Sequence, residues 1–198
     1  MTGVTALDGA AWLNPPPRWD RTAERLTLET GGHTDFWRET LYGFTRDSGH
    51  ALLASVDGDF TAHVTFDADY EALYDQAGLL LRQDEAHWIK AGIEFSDGVP
   101  NMSVVVTQQA SDWSTVAVPG LTGPQRLRLT RIGEAVVLQF RNAANRWQLL
   151  RVAPFPEGPA LIGPMACSPE RAGFRARFSE FAVGPAVVKA LHDESPAS

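Results

Sequence analysis

Trp88, Lys90, Gly92 and Glu94 fall at every second position of the run HWIKAGIEF. Side chains alternate between faces along an extended chain, so these four share one side and Ile89, Ala91, Ile93 and Phe95 share the other. The apolar side reads as core. The opposite side gathers an indole, an ammonium and a carboxylate, a mixture suited to a polyhydroxylated ligand. A ring stacks on the apolar face of a sugar while charged groups satisfy its hydroxyls. Neighbouring runs extend this surface. Gln76, Gly78, Leu80 and Arg82 alternate with Leu79 and Leu81, and Ser103, Val105 and Thr107 alternate with Val104 and Val106. The same pattern also describes the solvated side of an antiparallel sheet, where a Lys–Glu pair is a surface ion pair of little energetic consequence.

Trp37 and Arg38 of TDFWRE, and Trp113 of SDWS, lie outside the clearest strands and are expected at the rim of the same concavity. Asp35, Arg38 and Glu39 either serve a ligand there or pair with one another. If the surface catalyses, Glu94 or His63 is the proton carrier, with Arg82 or Lys90 stabilising developing negative charge. A role for His63 requires that Thr61, His63 and Thr65 continue the same face of the same sheet. Serine-triad chemistry lacks a G-x-S-x-G elbow. The five histidines have no metal-ligand spacing. The acidic run Asp67, Asp69, Glu71 and Asp75 lacks the calcium-loop pattern and reads as a solvated loop. With no dinucleotide or phosphate-binding glycine motif either, no metal and no cofactor is expected. Cys167, the lone cysteine, excludes an intramolecular disulfide and reads as a small buried residue.

The elements that must position these groups are strands. Alternation and turn signals predict them at 25–30, 37–42, 51–56, 59–67, 78–82, 88–95, 102–108, 125–132, 135–141, 148–152, 160–165 and 173–183. Asp57-Gly58, Asp97-Gly98 and Gly133-Glu134 mark turns between them. No long amphipathic helix interrupts the series, so an all-β sandwich of two antiparallel sheets, of jelly-roll type, is expected. Residues 1–9 read as a loose leader and 189–198 as a polar tail, flanking a single domain with its core at about 12–184.

A chain of 198 residues buries a core without covalent staples. The net charge of −7, with no Lys/Arg cluster, argues against a nucleic-acid partner. No apolar run reaches the ~18–20 residues of a membrane span, so no membrane partner is expected. The first residues do not form a signal peptide, and with one cysteine this points to a cytoplasmic protein.

The phrases TDFWRETLYGF, DSGH, GDF, YDQAGLLLR, HWIKAGIEF, SVVVT and SDWS, in this order, resemble the bacterial and fungal family named after a yeast regulator of enolase. The resemblance spans about 13–184 and implies the concanavalin A-like lectin/glucanase superfamily, with one concave, solvent-facing sheet. It implies no activity. Glucanases of that superfamily carry acidic residues at alternate positions of one strand, and a glycosidase needs two carboxylates about 5–10 Å apart. Here the corresponding strand offers Glu94 alone, with Gly92 and Lys90 where partners would stand, which disfavours a retaining glucanase. Three readings follow: a lectin-like domain that binds a saccharide or sugar-containing metabolite, a metal-independent acid/base enzyme acting on a small metabolite, and a regulatory module with a protein partner.

Overall fold

Alternating apolar residues build two seven-stranded antiparallel sheets in a computed structural model that describes residues 3–187 and 191. The first sheet runs β1 (Ala11–Leu13), β6 (His50–Val56), β15 (Ala160–Cys167), β8 (Gln76–Arg82), β9 (His87–Ser96), β10 (Val99–Gln108), β11 (Ala110–Ala117). The second runs β14 (Trp147–Pro154), β13 (Ala135–Arg141), β12 (Gln125–Ile132), β7 (Phe60–Ala68), β16 (Arg175–Gly184), β3 (Leu26–Glu29), β2 (Arg18–Arg21). A separate hairpin joins β4 (Phe36–Arg38) to β5 (Thr45–Asp47). This is a concanavalin A-like jelly roll. The core fills the space between the sheets with the residues that alternation assigns inward, among them Ile89, Ala91 and Ile93 of β9, Leu79 and Leu81 of β8, and Val104 and Val106 of β10.

Two expectations about the chain change. Residues 3–9 are not a loose leader. Val4 and Leu7 are buried in the core around a single 3₁₀ turn, Thr5–Leu7, and Gly3 forms a parallel bridge to Glu180. Strands also form where alternation is weak, at β1, β2, β5 and β11. The tail expected at 189–198 lies, Leu191 apart, outside the described residues.

Register fixes the outward face of the first sheet as rows across its strands. Cys167, Gln76, Glu94 and Asn101 form one row, and Met165, Gly78, Gly92 and Ser103 the next. Leu80, Lys90, Val105 and Trp113 form the third, and Arg82, Trp88, Thr107 and Ser111 the fourth. The Asp97-Gly98 turn that sets β9 against β10 has both residues at positive φ (54° and 75°), the geometry of a tight hairpin. The Gly78–Gly92 pair does not leave room for a ligand, as small residues on this face would suggest. A Cβ on Gly92 would stand 2.0 Å from the Ala77 carbonyl oxygen, and one on Gly78 2.1 Å from that of Ala91. These glycines let two backbones approach beneath the site.

Gly92→Ala therefore forces β8 and β9 apart and is expected to cost at least ~2 kcal/mol of stability. The same change at Gly184, where a Cβ meets nothing within 4 Å, is expected to cost under ~0.5 kcal/mol. Urea unfolding of the two variants checks the contrast, and equal midpoints would refute the close-approach role.

Candidate functional site

The β4–β5 hairpin lies across the outward face of the first sheet and divides it. Over the fourth row it is a roof. Phe36 packs on Trp88 with ring centroids 6.0 Å apart, and Arg82 makes two parallel hydrogen bonds to the Asp47 carboxylate at 2.7 and 2.8 Å. The Arg38 backbone N–H donates to Ser111 Oγ at 2.9 Å. Over the first and third rows the hairpin is a wall, and a cavity of about 240 Å³ opens there.

Charged groups make the floor of this cavity. Lys90 Nζ donates to Asp35 Oδ1 at 2.9 Å, and the same oxygen accepts from the Phe36 N–H at 2.8 Å and Gln76 Nε2 at 3.3 Å. Burial alone would lower the pKa of the Lys90 ammonium, but its neighbours Asp35, Cys167 and Glu94 outweigh burial and hold it above the ordinary value. Lys90 is thus a committed cation and not a nucleophile. Glu94 is 3% exposed, and its only hydrogen-bond donor among the described residues is Ser103, with Oγ 3.1 Å from Oε2. Burial raises its pKa, against the opposing pull of Lys90 and the Ser103 bond. Ser103 Oγ in turn accepts from Trp113 Nε1 at 3.0 Å, which ties the rim to the floor.

Aromatic rings make the walls. Trp37 and Trp113 meet edge to face at 6.2 Å, Trp37 and Tyr42 at 5.7 Å, and Tyr74 and Trp113 at 6.2 Å. Phe44 stacks on Tyr42 and carries Arg46 over its other surroundings, the guanidinium 4.8 Å from the ring centre. Tyr74 is held by the buried carboxylate of Asp75, which accepts from the N–H groups of Glu71 and Ala72, from Ser168 Oγ and from Arg171. That junction fixes the segment carrying Tyr74 against the one carrying Pro169 and Glu170, which also line the cavity. Glu39, Leu41 and Tyr74 all sit at positive φ (63°, 65° and 64°), so strained backbone gathers around this opening.

Residues 12–186 match the family described as "Protein of unknown function (DUF1349)". The chain belongs to the DUF1349 family. Over 192 residues it is 47% identical to "Regulation of enolase protein 1" of Saccharomyces cerevisiae, covering 96% of this chain and 97% of that one. A crystal structure of a functionally unknown protein from the same yeast superposes with a TM-score of 0.88 at 46% identity, over 92% of this chain and 99% of the other. The fold reaches further than the family. A legume lectin-like domain from Entamoeba histolytica gives a TM-score of 0.61 at 11% identity, over 94% of this chain and 97% of that domain.

In this DUF1349 member the cavity brings together Lys90, Glu94, Gln76, Trp37 and Trp113 of the residues singled out in the sequence. Four others stand elsewhere. Trp88 is 1% exposed under Phe36, so it is a core side chain and offers no platform. Arg82 is held by Asp47 beneath the roof. Arg38 follows Trp37 on a short strand and takes the opposite side, away from the cavity lining. His63 lies on β7, in the second sheet, stacked on Trp147 at 5.7 Å. Burial and the Arg128 charge push its imidazole down to about 4, and it cannot act with Glu94. The outward face is also roofed where an open, solvent-facing sheet was expected. The acidic run is no free loop: Arg171 and Arg177 bind Asp75, Glu71, Asp67 and Asp69. Sequence reasoning passed over Tyr42, Phe44, Arg46, Tyr74, Pro169 and Glu170 as site residues. For Tyr42, Phe44 and Tyr74 the signal was present, since they fall inside the family phrases TDFWRETLYGF and YDQAGLLLR.

Because folding raises the Glu94 pKa above its ordinary 4.5, the folded state keeps this proton longer than the unfolded chain. Its stability contribution is full below that value and is lost as pH rises through the raised one. Glu94→Gln is therefore expected to be more stable than the parent at neutral pH, with a gap that widens from about pH 4.5 upward. Urea unfolding of both proteins from about pH 4 to about pH 8 checks the sign. Parallel curves would contradict it.

Proposed function

We propose that this domain binds a small polyhydroxylated ligand, of saccharide or sugar-metabolite type, in the cavity between the β4–β5 hairpin and the first sheet. One observation carries the reading: aromatic walls formed by Trp37, Tyr42 and Trp113 stand over a floor of buried hydrogen-bonding side chains, Glu94, Lys90 and Gln76. Both indole N–H groups are spent inside the protein, Trp37 on the Thr40 carbonyl and Trp113 on Ser103, so the rings present apolar surface. Sugars are recognised by that division of labour between apolar ring faces and directional polar groups. At about 240 Å³ the cavity is below the ~300–1,000 Å³ of drug-sized pockets and suits one sugar ring. The lectin-like fold is compatible with this use and lends it only the weight of analogy. The name of the yeast relative speaks of regulation, and a domain that senses a metabolite answers to that description.

The test is a panel of monosaccharides and their phosphorylated and acidic derivatives, titrated while tryptophan fluorescence is followed. A ligand of this site changes the emission of Trp113, and Trp113→Ala weakens it at least ~10-fold, about 1.4 kcal/mol. His63→Ala, in the other sheet, leaves its affinity unchanged. Binding that survives Trp113→Ala would move the site elsewhere, and a silent panel would sink the reading.

A second reading has its own observation. Glu94 is buried with a raised pKa and lines the cavity, the setting that enzymes use for a proton carrier. The same residue would then move a proton to or from a carbon of the bound metabolite, without a metal. Deuterium exchange into a bound ligand, followed by NMR in heavy water, is expected from the parent and absent from Glu94→Gln. No exchange with any binder of the panel would leave the domain as a binding module.

A further inference from the structure

The walls and floor of the cavity together carry more information than a preference for sugars. Four rings meet in series around the opening. Trp37 meets Trp113 at an interplanar angle of 87°, Trp113 meets Tyr74 at 75°, and Trp37 meets Tyr42 at 66°. Tyr42 and Tyr74, at the two ends of this series, line the same cavity. A platform for a neutral sugar needs one flat ring face. Rings set at steep angles to one another make a box instead, and the π faces of such a box attract a cation.

The charges point the same way. Three carboxylates, Asp35, Glu94 and Glu170, line the cavity together with two cations, Lys90 and Arg46. The buried pair Asp35–Lys90 cancels at 2.9 Å. Arg46 lies over Phe44 on the outer wall. Glu94 is left at the floor with one neutral donor among the described residues, Ser103, and Glu170 stands exposed at the mouth. Among the described residues the cation that acts on Glu94 is Lys90, which is already paired with Asp35, so a cationic ligand would relieve the cost of burying this second carboxylate.

We propose that the occupant of this cavity carries a protonated amine: an amino sugar seated with its ammonium between the aromatic box and the Glu94 carboxylate. This rests on the sugar-binding reading above and narrows it to one chemical class.

The test sets glucosamine, galactosamine and mannosamine each against its parent hexose, by calorimetric titration at about pH 6, below the ~8 pKa of an ordinary α-amine. N-acetylglucosamine serves as the probe that keeps the bulk and loses the charge. At least one hexosamine is expected to bind ~10-fold or more tightly than its parent, and N-acetylglucosamine no better than glucose. Glu94→Gln, checked for folding by circular dichroism, is expected to bring that hexosamine down to the affinity of its parent. Equal affinity for hexosamines and hexoses would overturn the amine assignment and leave the sugar reading standing. A preference that persists in Glu94→Gln would also overturn it, because the charge partner would then be another group. If neither hexosamines nor any neutral sugar bound, the amine assignment and the reading beneath it would fall together.

Discussion

The ion pair between Asp35 and Lys90 is the constraint on which the outward face of the first sheet depends. An ammonium rising from the middle of β9 cannot stay desolvated alone, since stripping water from an ion costs several kcal/mol even in a relaxed protein. Its partner comes from the base of the β4–β5 hairpin, fifty-five residues earlier. Asp35 Oδ1 satisfies that charge and is itself pinned by Gln76 and by the N–H of Phe36. Meeting this electrostatic demand docks the hairpin. Once docked, the hairpin covers Trp88 and Arg82 on one side and stands Trp37 and Tyr42 beside the floor on the other. Roof and cavity are two results of one contact.

Much of the floor is legible in the sequence because a pleated strand has no freedom in the matter. Residues 88, 90, 92 and 94 share a face wherever β9 goes, and the run of β-branched and aliphatic residues between them decides which face is core. Which sheet a strand joins is another question. The alternation that turns His63 outward is as regular as that of Lys90, but the chain crosses between sheets, and β7 finds its partners in β12 and β16. No local pattern encodes that choice. Trp88 shows a second limit. Its exposure depends on a roof built from two three-residue strands, too short to carry a period, whose docking is decided by the buried charge beneath.

The far wall was hidden for a related reason. Tyr74, Pro169 and Glu170 belong to connecting segments almost a hundred residues apart, and what joins them is Asp75, a carboxylate with no exposed surface. In the sequence it is one acid of an acidic run. Folded, it collects two backbone donors, a hydroxyl and a guanidinium, and so converts two loops into one rigid edge. Hydrogen-bond satisfaction of a buried charge organises both walls of the cavity, with Asp35 on one side and Asp75 on the other.

The hairpin docks on the sheet through Asp35, Phe36, the Arg38 N–H and Asp47, while its tip, residues 39–44, adds Tyr42 and Phe44 to the wall and makes none of those docking contacts. Anchorage and selectivity thus reside in different parts of one short segment. A lineage, or an engineer, could lengthen, shorten or rewrite the tip and change what the cavity admits, with the floor charges and the sandwich beneath left as they are. Such an arrangement lets descendants of one domain diversify in what they hold while inheriting the same way of folding.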